Sequence, residues 1–322
     1  MRAIELRTYG DPLTGFAVID QPDPAPPGPG EVLIGMEYAP INLNDLLVLQ
    51  GVFPVHPDLP SPVGNEGVGR VLAVGAGVEL AVGDLVLLPL YSLTWRDRLV
   101  VAAADVIAVP TAADAQQLSM LRINAVTAAL LLSEYAELAE GDWVIQNAGN
   151  SSVARTVTAI AKARGFRTIS LVRRPEAVAD ALAAGAEAAF VDDDRASEQI
   201  SALVGERGIR LAIDGVGGAA VGRLAAALGA NGTVVSYGVL GGDLTAGISA
   251  IDVIFKDLRY RGFYLDKPAY AAAIPSIIAE TAELVISGAL KIPVAAVYPI
   301  TELGKAIAHV QQGGKVLLDF NA

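Results

Sequence analysis

The segment Gly149-Asn150-Ser151-Ser152-Val153 has the residue types needed to bind a phosphate group. It follows an apolar run, Trp143 to Ala148, that predicts a strand, and it leads into an alanine-rich run, Val153 to Arg164, that predicts a helix. A dinucleotide fold binds pyrophosphate at such a turn, because the free amides of the helix N-terminus point toward it. Only the first glycine of the GxGxxG pattern is present, and the serines add hydroxyl donors. The alternative interpretation is a polar turn with a serine N-cap.

Two arginines, Arg173 and Arg174, follow the next predicted strand, Thr168 to Val172. A domain that prefers NAD carries an acid at this position, which bonds the ribose 2′-hydroxyl. Two guanidinium groups instead suit a 2′-phosphate, because each can make charge-assisted bonds to its oxygens. The pair therefore predicts NADPH rather than NADH as the cofactor, and a solvated basic pair is the alternative.

These two segments belong to a regular alternation of strands and helices that begins at about residue 115. The further predicted strands are Ala188 to Val191, Leu211 to Asp214 and Thr233 to Tyr237. The further predicted helices are Glu176 to Ala184, Ser197 to Val204 and Ala219 to Leu228. This alternation predicts an α/β fold in which helices cover both faces of a parallel sheet, the doubly wound arrangement of a Rossmann domain.

The first 114 residues have a different pattern, with short strands such as Glu31 to Glu37 separated by proline and glycine clusters. They predict a compact β domain. The last segment returns to this pattern, with strands at Val294 to Tyr298 and Val316 to Phe320 around a helix, Glu302 to Gln311. We therefore expect residues 1–114 and 290–322 to form one domain and residues 115–289 to form the nucleotide-binding domain.

Composition excludes several classes of function. The net charge is −12, from 23 basic and 35 acidic residues, so a nucleic-acid backbone would be repelled over most of the surface. The absence of cysteine excludes disulfides and thiolate chemistry, and the two histidines, His56 and His309, have no partner at metal-ligand spacing. Met1 to Gly10 predicts a strand rather than an export signal, and we expect a cytoplasmic protein with no membrane span.

Several motifs resemble the zinc-independent branch of the medium-chain dehydrogenase/reductase superfamily, and within it the 2-enoyl thioester reductases. The matching stretches cover most of the chain in the expected order and include Gly64-Asn65-Glu66-Gly67-Val68-Gly69, Asn124-Ala125-Val126-Thr127-Ala128, Gly141 to Ser151, Thr168 to Arg173, and Phe255 to Phe263. Asn65 stands where the zinc-dependent enzymes have histidine, so the resemblance implies reduction without metal. It also implies a GroES-like fold for the β domain.

The resemblance implies a set of cofactor contacts around the two segments already described. The residues at these positions are Asn124, Thr127, Gly149, Asn150, Ser151, Ser152, Val153, Arg173, Arg174, Tyr237, Gly238, Val239, Leu240, Phe263, Tyr264, Leu265 and Lys315. Arg174 departs from the family, which usually has an acid there.

The resemblance also locates the catalytic region, where the family usually has tyrosine at the position of Phe53. Phenylalanine has no hydroxyl, so it cannot supply the hydrogen-bond donor or proton assigned to that tyrosine. Three explanations remain open. Another group, such as Asn44, Tyr91 or Tyr264, acts as the donor, or a water molecule does. Alternatively, the protein reduces a different acceptor that depends less on a proton donor. Trp95 resembles a family loop residue, with packing as the alternative, and Asp45 is either a substrate contact or a helix cap.

The resulting functional hypothesis is an NADPH-dependent reductase of activated double bonds, with a 2-enoyl thioester as the expected substrate. A quinone is the alternative acceptor, because it takes hydride without a dedicated proton donor at carbon, which suits Phe53. A further alternative is a non-catalytic NADPH-binding partner protein. We also expect a homodimer, in which Ala246 to Phe255 and Gly232 to Tyr237 extend the sheet across a twofold axis.

Overall fold

The computed structural model describes residues 1–205 and 208–322. Its strands are β1 (Arg2–Leu6), β2 (Phe16–Asp20), β3 (Glu31–Ile41), β4 (Ser61–Pro62), β5 (Val68–Val74), β6 (Leu85–Leu87), β7 (Arg98–Ala102), β8 (Ile107–Val109), β9 (Trp143–Gln146), β10 (Arg167–Val172), β11 (Ala188–Val191), β12 (Ile209–Asp214), β13 (Thr233–Ser236), β14 (Arg259–Gly262), β15 (Val294–Pro299) and β16 (Lys315–Asp319).

The α-helices alternate with the strands mainly in the middle of the chain. They are α1 (Leu43–Gln50), α2 (Ala115–Leu118), α3 (Val126–Ser133), α4 (Ser152–Ala163), α5 (Glu176–Ala183), α6 (Ala196–Val204), α7 (Ala219–Ala227), α8 (Ala250–Lys256), α9 (Ile274–Ile286) and α10 (Leu303–Gln312). A π-helical turn, Leu121–Ala125, leads into α3.

The chain divides into two compact units. Unit 1 comprises Met1–Ile123, Ile278–Ile286 and Ile292–Ala322, and unit 2 comprises Asn124–Ile277 and Ser287–Lys291. The first boundary lies later than the one expected after residue 114, because α2 packs on β3 and β5 and so remains with unit 1.

Unit 1 is built on a seven-stranded sheet in the order β15-β16-β3-β5-β6-β8, with β7 paired to β3. A second sheet has the order β2-β1-β4. Alternate residues of the long strand β3 are buried, among them Val32, Ile34 and Met36. They join the unit's core together with α10 and β16, so the C-terminal segment completes the hydrophobic core of unit 1.

Unit 2 is built on a six-stranded sheet in the order β11-β10-β9-β12-β13-β14, and every pairing in it is parallel. The strands β9, β10 and β12 are almost entirely buried, which is why they appear in the sequence as continuous apolar runs. The predicted α/β class and doubly wound sheet are confirmed.

The edge of this sheet differs from the sequence expectation. Residues Ala250–Lys256 form a helix, and Thr233–Ser236 lies between β12 and β14 inside the sheet. The edge strand is Arg259–Gly262, which the sequence did not predict as a strand because all four of its residues are exposed and it lacks an apolar pattern.

Among the described residues, one segment, Pro268–Ile286, is long and apolar enough to cross a membrane by length and composition alone. Its mean hydropathy is 1.4, and 28% of the most apolar stretch is buried within the protein. The expectations of no membrane span and of a cytoplasmic location stay predictions.

Candidate functional site

The predicted phosphate-binding turn joins β9 to α4 in unit 2. Ser151 is the N-cap of α4, where its Oγ accepts a hydrogen bond from the amide of Ala154 at 3.2 Å. Ser152 and Val153 form the first turn of the helix, and Asn150 is exposed beside them. The N-terminus of α4 thus places the partial positive charge of a helix start beside two serine residues, which suits phosphate binding.

Gly149 allows the end of β9 to lie directly against β10. Its amide donates to the carbonyl of Leu171 at 2.9 Å. A Cβ atom at position 149 would lie 2.7 Å from the Cβ of Ser170 and 3.0 Å from the Leu171 oxygen. Both distances are too short for a methyl group, so the first glycine of the motif is required by the backbone approach.

The arginine pair and the phosphate-binding turn line one cavity of about 440 Å³. Arg173 and Arg174 directly follow β10, and both are exposed. The Arg174 guanidinium also pairs with Glu176, Nε to Oε1, at 3.2 Å. A larger cavity of about 730 Å³ at the other end of the same sheet shares no lining residue with this one. The basic pair therefore opens into the space that the serine turn borders.

The predicted strand-end loop after β13, Tyr237 to Leu240, is connected to the same turn. The hydroxyl of Tyr237 is hydrogen-bonded to the side chain of Ser151, and burial raises the pKa of Tyr237 to about 12. The amide of Leu240 donates to the carbonyl of Gly215 at 2.9 Å. Leu240 also lines the cavity, whereas Gly238 and Val239 belong to the same loop without lining it. The structure thus brings the turn and this loop together.

A buried carboxylate that the sequence did not single out organises this edge of the sheet. Asp214 ends β12 with no exposed surface, and its Oδ1 accepts hydrogen bonds from Asn147 Nδ2 at 2.6 Å and from the amides of Val216 and Gly217. Its Oδ2 accepts a bond from Ser236 Oγ at 2.6 Å. Asp214 therefore ties together the ends of three strands beneath the predicted cofactor loops. The only sequence signal for it is its place at the end of a predicted strand.

The remaining predicted cofactor residues of unit 2 lie in two places. Asn124 and Thr127 are buried, one in the π-helical turn and the other in the first turn of α3. Phe263 stacks on Tyr270 with ring centroids 5.9 Å apart, so its ring belongs to an aromatic cluster. Tyr264 follows it and is 40% exposed, and Leu265 is half-buried.

Lys315 is part of a buried polar cluster in unit 1. Its Nζ donates to Asn42 Oδ1 at 2.6 Å, and Asn42 Nδ2 donates to Glu66 Oε1 at 2.7 Å. Glu66 Oε2 accepts from the amide of Ile123 at 2.8 Å. The structure thus places the Lys315 ammonium on Asn42 within this cluster, and the cofactor contact that the resemblance implies for Lys315 stays a prediction. The bonds of Glu66 to Asn42 and to the backbone give it a structural role.

Asp45 completes this cluster and stabilises the start of α1. Asn42 is the N-cap, and its amide donates to Asp45 Oδ2 at 2.7 Å, while the amide of Asn65 donates to Oδ1 at 3.1 Å. Asp45 is therefore the third helical residue of a capping box, not the cap itself.

The burial of this cluster changes the protonation of its members. Burial raises the pKa of Asp45 and of Glu66 to about 7 each, although Lys315 opposes both shifts. Burial also lowers the pKa of Lys315. If both carboxyl groups and the ammonium group were ionised, the buried cluster would carry a net negative charge, which is energetically unfavourable.

The predicted catalytic residues of unit 1 have different environments. Phe53 follows α1 and is half-buried, and its ring contacts that of Tyr91 with centroids 6.3 Å apart. Asn44 is half-buried in the first turn of α1. Trp95 has no exposed surface and belongs to the hydrophobic core, which favours the packing alternative.

Comparison with known families identifies both parts of the chain. Residues 28–104 match the description "Alcohol dehydrogenase GroES-like domain", and residues 152–283 match "Zinc-binding dehydrogenase". This is the domain pair of the medium-chain dehydrogenase/reductases.

Individual relatives narrow the assignment. The chain is 34% identical over 318 residues to the human mitochondrial enoyl-(acyl-carrier-protein) reductase, covering 95% of this chain and 84% of that protein. The protein of that name from Dictyostelium discoideum is 32% identical over 286 residues, covering 83% and 78% of the two chains. The chain belongs to the medium-chain dehydrogenase/reductase superfamily and, within it, to the family of the enoyl-(acyl-carrier-protein) reductases.

Solved structures agree with this assignment. The complex of Etr1p with NADP and crotonyl-CoA has a TM-score of 0.89 at 25% identity and covers 99% of both chains. A structure described as a putative NADPH:quinone reductase from Bacillus thuringiensis has a TM-score of 0.87 at 26% identity and covers 99% of this chain and 98% of that chain.

The residues of this chain do not fit the zinc ion that one family description implies. Among the described residues, no three His, Cys, Asp or Glu side chains are grouped as metal ligands would be. Asn65 replaces the histidine of the zinc-dependent motif, and the neighbouring Glu66 is bonded to Asn42 and to the backbone. The Lys315 ammonium on Asn42 already supplies this cluster with its positive charge.

Proposed function

We propose that this protein is an NADPH-dependent reductase of activated carbon–carbon double bonds that acts on 2-enoyl thioesters. The observation that carries the proposal is the single cavity lined by both the serine turn and the Arg173–Arg174 pair. Its chemistry fits a phosphorylated dinucleotide, with helix amides for the pyrophosphate and guanidinium groups for the 2′-phosphate. The relatives named for enoyl reduction, and Etr1p with its NADP and crotonyl-CoA, support the same conclusion.

The proposed binding roles follow from these positions. The turn from Gly149 to Val153 binds the pyrophosphate, and Arg173 and Arg174 bind the 2′-phosphate. Asp214 holds the loops above the strand ends in place through its four hydrogen bonds. When bound, the reduced nicotinamide supplies the hydride that the β-carbon of the enoyl thioester accepts.

The substrate then needs two things from the protein. Its carbonyl oxygen gains enolate charge and requires a hydrogen-bond donor, and its α-carbon requires a proton. Phe53 supplies neither, because it has no hydroxyl. Tyr91 is the group we favour in its place, since its ring contacts that of Phe53. Asn44 and Tyr264 are the alternatives within the chain, and a water molecule is the alternative outside it.

A quinone is the second candidate acceptor, and Phe53 is the observation that favours it. A quinone places the incoming charge on oxygen atoms, so it needs no proton delivered to carbon. The structural likeness to a putative NADPH:quinone reductase agrees with this alternative. The third candidate, a non-catalytic NADPH-binding partner protein, also rests on Phe53.

Nucleotide binding and turnover measurements together separate the three candidate functions. Dissociation constants for NADPH and NADH are measured first, followed by NADPH oxidation with crotonyl-CoA and with 1,4-benzoquinone. We expect tighter binding of NADPH and faster turnover with the thioester. Faster turnover with the quinone would support the second candidate, and NADPH binding with no turnover on either acceptor would support the third. Failure to bind NADPH would reject the proposal.

We also propose that the protein is a homodimer. The parallel sheet of unit 2 ends at β14, whose four residues are exposed. The neighbouring helix α8 exposes Ile251, Ile254 and Phe255, with 81% of the phenylalanine accessible. An exposed strand edge beside exposed apolar side chains supports pairing with a second copy.

A further inference from the structure

The cavity that holds the arginine pair contains a second pair of charged residues that the sequence did not single out. Asp192 and Arg223 both line it. Asp192 directly follows β11, just as Arg173 directly follows β10. The two strands pair in parallel with Val172 opposite Val191, and the amide of Asp192 donates to the carbonyl of Val172 at 2.8 Å. Asp192 and Arg173 therefore lie at the same edge of the sheet, at the ends of neighbouring strands, and Arg173 is the proposed phosphate contact.

A carboxylate in this position opposes phosphate binding. The hydrogen bond from the backbone amide of Asp192 holds its backbone beside β10. The negatively charged Asp192 therefore forms part of the cavity wall. A phosphate brought into the cavity would meet this negative charge together with the two arginines. In a partly buried cavity such repulsion is screened less than it would be in open water.

Arg223 neutralises this carboxylate. It projects from α7, and its Nε donates to Asp192 Oδ1 at 2.6 Å. The side chains are 27% and 11% exposed, so the pair is partly shielded from solvent. The bond to Asp192 is also the main cause of the raised pKa of the Arg223 guanidinium, which therefore stays charged.

The nearby acids do not replace Asp192 as the partner of Arg223. Asp193 and Asp194 also interact electrostatically with Arg223 but line the neighbouring cavity instead. Asp193 is paired with Arg195, Oδ2 to Nη2, at 2.9 Å. Within the cavity of the arginine pair, Arg223 is thus the counter-charge of Asp192.

We propose that Arg223 is a positioning residue for cofactor specificity, which lets the cavity accept a 2′-phosphate by holding and neutralising Asp192. This inference rests on the proposed use of NADPH and extends it. The arginine pair supplies the attraction, and the Asp192–Arg223 pair removes the repulsion that would otherwise offset it. Loss of Arg223 would leave a carboxylate facing the phosphate, whereas NADH, which lacks that phosphate, would be little affected.

Equilibrium binding tests the inference without any turnover. Dissociation constants for NADPH and NADH are measured by titration calorimetry for the wild-type protein, Arg223→Gln, Asp192→Asn/Arg223→Gln, Arg223→Lys and Arg173→Gln. We expect Arg223→Gln to weaken NADPH binding roughly tenfold, as for a lost charge-assisted interaction, with NADH changed less than about twofold. The double variant should return NADPH binding to within about threefold of wild type, because no charge is left unpaired. Arg223→Lys should stay close to wild type.

Arg195→Gln is the matched control, because Arg195 is also paired with an aspartate but does not line the cavity. It should leave the ratio of the two dissociation constants unchanged. If Arg223→Gln does not fold, the double variant, which has no unpaired charge, must still prefer NADPH, and its failure to do so would overturn the inference.

The possible failures are distinguishable. If the wild-type protein does not prefer NADPH and Arg173→Gln changes nothing, the proposed function fails and the inference with it. If Arg173→Gln weakens NADPH binding and Arg223→Gln does not, only the inference fails. If the double variant binds NADPH as weakly as Arg223→Gln, the inference also fails, because Arg223 would then contact the phosphate itself.

Discussion

Asn147 donates a hydrogen bond from its Nδ2 to Oδ1 of Asp214 at 2.6 Å, which joins the carboxyl ends of two neighbouring strands. Asn147 Oδ1 in turn accepts from the amide of Gly215 at 2.8 Å. The pair is fully buried at the edge of the sheet that carries the proposed cofactor turn. Among the described residues, the donors bonded to the Asp214 carboxylate are all neutral, and they stabilise it in this buried position.

We expect Asp214→Ala to lower the free energy of unfolding by about 3 kcal/mol, because several buried donors would lose their acceptor. The change should also weaken NADPH binding, since the loops above the strand ends lose their support. Urea unfolding and calorimetric titration measure the two effects. Asp180→Ala, which removes an exposed partner of Arg155 at 3.8 Å, is the control and should alter stability by less than about 0.5 kcal/mol. Equal effects of the two substitutions would contradict the role assigned to Asp214.

Arg173→Gln should weaken NADPH binding by about 10-fold to 100-fold and leave NADH binding nearly unchanged, because only NADPH has the 2′-phosphate. Arg167 provides a control within the same strand. It lies at the opposite end of β10, where its guanidinium stacks on Trp143 at 5.3 Å, so Arg167→Gln should not change the ratio of the two affinities. If Arg173→Gln weakened the binding of NADPH and NADH equally, Arg173 would not bind the 2′-phosphate.

Phe53→Tyr should raise the rate of enoyl thioester reduction about tenfold or more, because it restores a hydroxyl at the family's tyrosine position. Turnover of crotonyl-CoA at saturating NADPH measures the change, and NADPH affinity should stay constant. Tyr91→Phe is the companion variant and should lower the rate if Tyr91 now serves as the donor. An unchanged or lower rate in Phe53→Tyr, with the fold intact, would reject a missing donor at this position.

The buried cluster around Glu66 predicts an unusual dependence of stability on pH. The folded protein holds the carboxyl protons of Glu66 and Asp45 up to a pKa of about 7, whereas in the unfolded chain these groups titrate near pH 4. Their contribution to the free energy of unfolding is therefore present at low pH and lost as the pH rises through about 7.

Chemical denaturation between pH 5 and pH 8 measures this slope. Glu66→Gln removes one of the two titrating groups, so the fall in stability over that range should become shallower, whatever its effect on absolute stability. Glu176→Gln is the control, because Glu176 is 69% exposed. The prediction is wrong if both variants keep the wild-type slope.

Phe255→Asp should convert the proposed homodimer into a monomer, because it puts a charge into the apolar face of α8 beside the sheet edge. Light scattering coupled to gel filtration gives the molar mass directly. Val82→Asp, at a position 65% exposed in unit 1, should leave the mass unchanged. A wild-type protein with the mass of one chain would refute the homodimer.

The parallel sheet was predictable because its inner strands are buried on both faces, so Trp143 to Ala148 and Thr168 to Val172 appear as apolar runs. Their ends carry the polar residues, which made the serine turn and Arg173 visible as well. The edge strand Arg259–Gly262 was not predictable, because exposed residues carry no such pattern.

Contacts made across the fold were not predictable from local patterns. Arg223 occupies an ordinary helical position, and nothing in the spacing connects it to Asp192, which lies 31 residues away. Lys315 donates to Asn42, 273 residues away, and no pattern in the sequence connects the two. In both cases the partner is fixed by tertiary packing, which local patterns do not encode.

The bond between Lys315 and Asn42 spans 273 residues and has a consequence for the order of assembly. During synthesis from the N-terminus, Asp45 and Glu66 leave the ribosome long before the lysine that compensates their charge. The cluster cannot reach its final electrostatic balance until β16 has been made and inserted beside β3. Maturation of unit 1 therefore has to await the translation of β16, and until then its two acids must stay hydrated or protonated.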